Sequence, residues 1–237
     1  MGQVPGEGSP LLLLIGNGRL SRHLQHYFQL LGGPPFKVWT RHLGTPVEEA
    51  LEGCSHSLLL IRDDALLDFL HEHPRLQSTT VVHFSGSLAT ELAWGAHPLM
   101  TFGHQLYSLE DYQQIHFVVD HQAPGLEQLL PGLPNPYHRL DAGLKERYHA
   151  ECVLSGNFTS LLWSHFFEVL EGKLGLPRRA ALPYLRRVAA NLESEFPALT
   201  GPLARGDQGT IERNLRSLEG DPYQRVYSSF VEAYQRA

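Results

Sequence analysis

The chain has 237 residues, 42% of them hydrophobic and 19% charged, a composition that suits one large or two modest globular domains. A net charge of −6 with no basic block argues against nucleic acid as a partner. The two cysteines, Cys54 and Cys152, lie far apart without metal-ligand spacing and read as free thiols of a reducing compartment.

The first apolar run, Leu11–Ile15, is too short to cross a membrane and lacks the flanks of a signal peptide. A cytoplasmic protein with no membrane partner is therefore expected. Further apolar runs follow at Phe36–Trp39, Ser57–Ile61, Thr80–Phe84 and His116–Val119, and unbroken runs of this kind suit strands buried on both faces of a parallel sheet. Between the first two, Leu20, Leu24, Tyr27, Phe28 and Leu31 form one stripe of a helix that ends at Gly32-Gly33-Pro34. Thr45-Pro46-Val47-Glu48 reads as a capping box, and Asp63-Asp64 as the cap of a helix carrying Leu66, Leu67 and Leu70. The alternation predicts an α/β fold with an N-terminal doubly wound Rossmann sheet.

The segment Pro131–Pro136 breaks the pattern, and beyond it the period is helical. Leu144, Tyr148, Cys152, Ser155, Leu162, Phe166 and Val169 fall near one face of a helix approaching thirty residues. Further helices are expected over about 177–195, from Asp207, and from Asp221 as a cap with Pro222 at the first helical position. The expected division is a Rossmann domain over 1–140 and an all-helical domain over 141–237.

Gly16-Asn17-Gly18-Arg19-Leu20-Ser21 joins the first strand to the first helix. Gly16 permits the tight turn, Gly18 lets the backbone approach a pyrophosphate at the helix N-terminus, and Ser21 is small enough for helix–strand packing. Asn17, Arg19 and Leu20 complete the expected cofactor contacts; a ligand-free strand–helix turn is the alternative. The second strand ends at Thr40-Arg41, with no carboxylate for a ribose diol, so a 2′-phosphate and hence NADP rather than NAD is expected. A solvated surface arginine is the other reading of Arg41.

Arg62, His83 and Ser85 stand at the carboxyl ends of the third and fourth strands, where such sheets bind ligands. Ser85 either approaches the nicotinamide or caps a short helix after it. His97, read as part of a loop, is a candidate substrate contact or a structural hydrogen-bonder. In the long helix His149 and Asn157 lie ~12 Å apart and within about 80° around the axis, so both can face one cleft. They suit a proton donor and a substrate-orienting amide, or else a polar seam between domains. Arg205, in the glycine-rich segment Ala198–Asp207, is a candidate anion anchor or part of a structural connection. The histidines, among them His71, His73, His97 and His104, do not put two ligands on one helical face, so no metal is expected.

Gly16-Asn17-Gly18, Val82–Gly86, His97–Phe102, Tyr148-His149-Ala150, Asn157 and Leu199–Asp207 together resemble a family of Rossmann-like proteins with a C-terminal helical domain of unknown function. That family is similar to pyrroline-5-carboxylate reductase and to the 6-phosphogluconate dehydrogenase group. The resemblance implies an NADP-linked oxidoreductase fold, with a helical domain that dimerises in related enzymes, and together with the His149 and Asn157 reading it sets the expectation of a homodimeric reductase of a small carbonyl or imine. His149, Asn157 and Ser85 are its expected catalytic residues, and His97 and Arg205 its expected substrate contacts. Two positions depart from the pattern. Val153 stands where the dehydrogenase group has a lysine four residues before the asparagine, and Arg62 stands where relatives have proline. The first departure keeps open a protein that binds or senses a dinucleotide without catalysis.

Overall fold

The computed structural model describes residues 10–194 and 199–236. The chain forms two compact units, Met1–Leu161 and Leu162–Ala237. The first carries a seven-stranded sheet in the order β2-β1-β3-β4-β5-β6-β7. Its strands are β1 (Leu12–Ile15), β2 (Phe36–Trp39), β3 (His56–Leu59), β4 (Thr80–His83), β5 (Trp94–Pro98), β6 (Phe117–Asp120) and β7 (Tyr137–Leu140). All neighbouring pairs are parallel except β5 with β6. Order and direction are those of the expected doubly wound α/β sheet, extended by an oppositely directed edge.

β1 shows why its sequence reads as an unbroken apolar run. Leu12 and Leu14 join one core with Leu24, Tyr27 and Phe28 of helix α1 (Arg19–Leu31). Leu13 and Ile15 join a second core, with Val47 of α2 (Val47–Ala50) and Leu66 and Leu70 of α3 (Leu66–Glu72). Each face of the sheet is therefore covered, and four consecutive residues are fully buried. Gly32, at φ 74°, turns the chain out of α1 in the left-handed conformation that glycine adopts without a Cβ clash.

Two strands escape the sequence pattern. β5, which holds His97, is a strand and not the expected loop. Its Gly95-Ala96 pair is small and it ends on Pro98, so it lacks a branched apolar signature. β7 is an edge strand with polar His138 and Arg139 in its middle. Two expected caps are also absent. Thr45 makes no cap to α2, and Glu48 instead meets Nδ1 of His73 at 2.7 Å. Asp63 does not cap α3, and it accepts a hydrogen bond from Ser85. The capping box that does form is Ser108 with Asp111, at the start of α4 (Leu109–Gln113).

The Pro131–Pro136 break has a structural purpose. It carries Asn135, which is buried beneath α4. Asn135 accepts from the Tyr27 hydroxyl at 2.9 Å and donates to the carbonyls of Tyr112 and Ile115 at 2.7 and 2.9 Å. Desolvation pushes the Tyr27 phenol up to about 12, so it stays a donor.

The last strand ends at Leu140, and every element after it is helical. The compact units nevertheless divide later, between Leu161 and Leu162, because α6 (Lys145–Cys152) makes its side-chain contacts with the sheet. After α6 come a π-helical turn at Val153–Asn157 and α7 (Phe158–Gly172), so the long helix is present with a widened turn inside it. In the second unit, Phe167, Leu170 and Ala181 form a small core with Trp163, Phe166, Leu182 and Leu185. α8 (Leu182–Leu192), α9 (Pro202–Arg205), α10 (Gln208–Ser217) and α11 (Tyr223–Arg236) complete it. Asp207 caps α10 through the Thr210 amide, and Asp221 accepts from the Tyr223 amide at the start of α11. Ala198, and the end of the second expected helix at residue 195, lie outside the described residues. Among the described residues no helix is long and apolar enough to cross a membrane.

The Asn135 junction predicts that Asn135→Ala, which strips two buried carbonyls of their donor and Tyr27 of its acceptor, lowers the unfolding free energy by about 2–4 kcal/mol. Urea denaturation reads this directly, and a loss below about 0.5 kcal/mol, the range of ordinary surface substitutions, would overturn it.

Candidate functional site

The turn after β1 is built by sterics. Gly16 has φ 115°, and a Cβ there would stand 2.4 Å from the carbonyl oxygen of Leu60, so only glycine fits. The buried Ser21 hydroxyl donates to the Gly16 carbonyl at 2.8 Å and ties the turn to the first turn of α1. Gly18 is the N-cap of α1 and supplies no side-chain cap, and a Cβ on it would meet nothing within 4 Å. The first turn of this 13-residue helix therefore has neither a side-chain cap nor an acidic residue. Uncapped amides and the helix dipole suit an anion such as pyrophosphate. The residues present fit the phosphates of a dinucleotide.

Gly16, Asn17, Thr40, Arg41 and Arg62 line one cleft of about 1160 Å³. No ion pair to Arg41 occurs among the described residues, whereas the exposed Arg62 pairs with Asp64, its Nε at 3.0 Å from Oδ1. The Trp39 indole donates to the carbonyl of Thr45 at 2.9 Å and so closes the loop that carries Arg41 back onto β2. Gly18, Arg19, Leu20, Arg62 and Ser85 line a further cavity of about 360 Å³. The expected cofactor residues are thus gathered along the carboxyl edge of β1 to β4.

Ser85 is buried, and its hydroxyl is fully engaged. It donates to Asp63 Oδ2 at 2.5 Å and accepts from the amides of Ser87 and Leu88 at 3.3 and 3.1 Å. The chain after it forms a bend and loop, not a helix.

Beyond Ser85 lies a polar group inside the first unit. Lys145, at the start of α6, is buried and donates from Nζ to Asp120 Oδ1 at 2.6 Å. The other oxygen of Asp120 accepts from the Gly95 amide at 2.5 Å. This pair fixes α6 to β5 and β6. One turn on, the Tyr148 hydroxyl lies 2.8 Å from Nδ1 of His97, and the His149 ring stands edge-on to His97 with centroids 6.0 Å apart. Both imidazoles press on Gly86: a Cβ there would come within 2.7 Å of His149 and 3.1 Å of His97. Burial first, and then the charge of His149, push His97 down to about 4. Burial first, and then Lys145, push the fully buried His83 down to about 4. His83 accepts from the Ser85 amide on Nδ1, and its Nε2 has no partner among the described residues. Burial raises the Tyr148 phenol, with Cys152 adding to it.

His149 and His97 are therefore brought together, with Ser85 and Gly86 beside them. Asn157 sits on the exposed π-helical turn and shares no hydrogen bond with His149 among the described residues. Arg205 ends α9 in the second unit and is exposed. Lys145 and Asp120 are the members that residue patterns overlooked. Lys145 stands four residues before His149 on one helical face, a legible spacing, but its partner Asp120 comes from another element.

Residues 119–234 match the family model described as a domain of unknown function, DUF2520. Asp120, Lys145 and His149 fall inside that match. No curated protein matches the chain. Similar solved structures include a provisionally named NADP oxidoreductase, BF3122, of Bacteroides fragilis, at 22% identity, covering 97% of this chain and 99% of that one with a TM-score of 0.79. They also include a reductive aminase from Aspergillus terreus in complex with NADPH4, cyclohexanone and allyl amine, at 17% identity, 94% and 88% coverage and a TM-score of 0.57. A third is the pyrroline carboxylate reductase of Plasmodium falciparum with NADP bound, at 14% identity, 94% and 96% coverage and a TM-score of 0.55. At these identities the likeness shows a shared fold: a Rossmann sheet followed by helices, as the resemblance to pyrroline-5-carboxylate reductase implied.

His83 and His97 couple this site to stability. Both are held near 4 in the folded chain against an ordinary 6.5, so their contribution is fully present above about pH 6.5 and is lost as pH falls toward 4. The urea midpoint is expected to fall between pH 7.5 and pH 5, and equal midpoints at the two values would contradict the neutral burial of these rings.

Proposed function

We propose that the protein is an NADP-dependent oxidoreductase that reduces a small carbonyl or imine compound. One observation carries this reading: the Gly16-Asn17 turn that leads into the uncapped α1 shares a cleft with Arg41, a cation without an ion pair among the described residues. The names of the similar structures support the oxidoreductase class, and Thr40-Arg41 in place of a carboxylate supports the 2′-phosphate. When bound, the reduced nicotinamide supplies a hydride to the electrophilic carbon. The chain's own residues hold the phosphates at Gly16–Leu20, grip the 2′-phosphate with Arg41, and return a proton from His149 to the substrate oxygen or nitrogen. Asn157 and Arg205 are substrate contacts in this reading.

Val153, in the position of the dehydrogenase lysine, favours a second reading: a protein that binds or senses the dinucleotide without turnover. NADPH oxidation measured against ketones, aldehydes, keto acids and cyclic imines separates the two. Tight binding with no oxidation of any substrate would favour sensing. Arg41→Ala is expected to weaken NADPH binding by about 1–3 kcal/mol, the scale of charge-assisted hydrogen bonds, with little change for NADH. Equal losses for both would refute the 2′-phosphate contact.

Homodimerisation through the helical half belongs to the same reading. Leu154, Phe158 and Leu161 are 54, 46 and 55% exposed along one helical run, an apolar stripe that a second copy could cover. Sedimentation is expected to give a dimer that Phe158→Glu dissociates; a monomeric wild type would overturn it.

A further inference from the structure

The two imidazoles at Gly86 are not equivalent. His97, on β5 beside β4, is fixed from behind: its Nδ1 lies 2.8 Å from the Tyr148 hydroxyl. Its Nε2 and Cδ2 both stand 3.1 Å from the point where a Gly86 Cβ would be. His149 brings its Cδ2 to 2.7 Å from the same point, from the opposite element, and is half-buried. The Nε2–Cδ2 edge of His97 and the Cδ2 of His149 therefore converge on one point beside Gly86, so close that a Cβ has no room there.

We infer that the pair divides the chemistry of the site, His97 as a fixed neutral hydrogen-bond donor and His149 as the proton donor, and that both serve one carbonyl oxygen. The inference rests on the oxidoreductase reading and narrows its substrate class. In this assignment the Tyr148 hydroxyl is the donor to Nδ1, which leaves the hydrogen of a neutral His97 on Nε2, facing Gly86. The other groups around His97 agree. Burial and His149 disfavour its charge, Lys145 acts in the same sense, and Asp63 opposes them. Neighbouring titratable groups whose environments differ divide acid and donor roles in this way.

The substrate class follows from lone pairs. A carbonyl oxygen has two and can accept from both rings, whereas a neutral imine nitrogen has one. As the carbonyl carbon takes a hydride, its oxygen takes the proton of the His149 imidazolium, which becomes neutral and recovers a proton from solvent. His97 keeps its own proton throughout. The product is an alcohol. Tyr148 is a positioning residue that sets the His97 tautomer, and Gly86, by lacking a Cβ, lets both rings approach the same point.

The test has one arm that needs no activity. Nitrogen-15 NMR of the wild-type chain is expected to find His97 neutral with its proton on Nε2 at pH 7, and Tyr148→Phe to scramble that tautomer. A proton on Nδ1, or a cationic His97 at pH 7, overturns the inference. In the kinetic arm, His97→Phe is expected to lower kcat on ketones or aldehydes by roughly 10²–10³-fold, the cost of one polarising donor. His97→Gln, whose amide still donates, should lose less than about tenfold, and both should keep NADPH affinity. Equal losses in the two variants, or imines reduced faster than matched carbonyls, would also overturn it. If the NMR pattern holds and the wild type oxidises NADPH with no substrate, the oxidoreductase reading fails and the donor role falls with it, while the tautomer assignment stands.

Discussion

The burial of β1 on both faces is the constraint from which the rest of this molecule follows. Four consecutive side chains alternate between two cores, so helices must cover each side of the sheet. Parallel neighbours on both flanks require crossovers, and crossovers deliver every following loop to the same carboxyl edge. The turn at Gly16, the Thr40-Arg41 end of β2, the Arg62–Asp63 segment and the Ser85–Gly86 bend are therefore neighbours without contacting one another in sequence. The ligand edge is a by-product of covering a two-sided strand.

A second constraint acts at the far end of that edge. Lys145 and Asp120 bury opposite charges at 2.6 Å, and Asp120 is further held by the Gly95 amide. A buried pair of this kind adds little net stability compared with apolar residues of like volume, but removing one partner is costly. Its value here is geometric. It pins the first turn of α6 to β5 and β6, and one turn later the same helix presents Tyr148 and His149 to His97. The site is assembled where a helix following the last strand returns to the sheet.

Local chemistry that serves folding and local chemistry that serves ligands are intermixed. Ser85 stands at a ligand edge, yet its hydroxyl is spent on Asp63 and on two amides of its own bend. Asn135 occupies a proline-rich break that resembles a linker and is the buried knot joining α1, α4 and β7. Conversely Gly86, an unremarkable residue in a bend, is the gap against which two imidazoles rest. Residue type alone does not distinguish these roles; partners do.

Much was legible in the chain itself, because local physics acts over a few residues. The apolar runs of β1 to β4 and β6, the stripe of α1, the Gly16–Gly18 turn, the missing carboxylate at Thr40-Arg41 and the Asp207 cap each depend on near neighbours, and the doubly wound class of the sheet followed from their alternation. β5 and β7 were not legible, since a small-residue strand and a polar edge strand are defined by the strands beside them. Nor did Thr45 or Asp63-Asp64 cap as their spacing suggested, because Glu48 and Asp63 found His73 and Ser85 as partners from elsewhere in the fold. The candidate site divides along the same line. Its phosphate end is a turn legible within six residues, although the Leu60 carbonyl that bars a Cβ at Gly16 comes from the end of β3. Its chemical end, with Lys145 on Asp120, Tyr148 on His97 and both rings on Gly86, joins segments 11 to 63 positions apart, and only the tertiary structure could choose those partners, because the burial that selects them exists only once the sheet has closed.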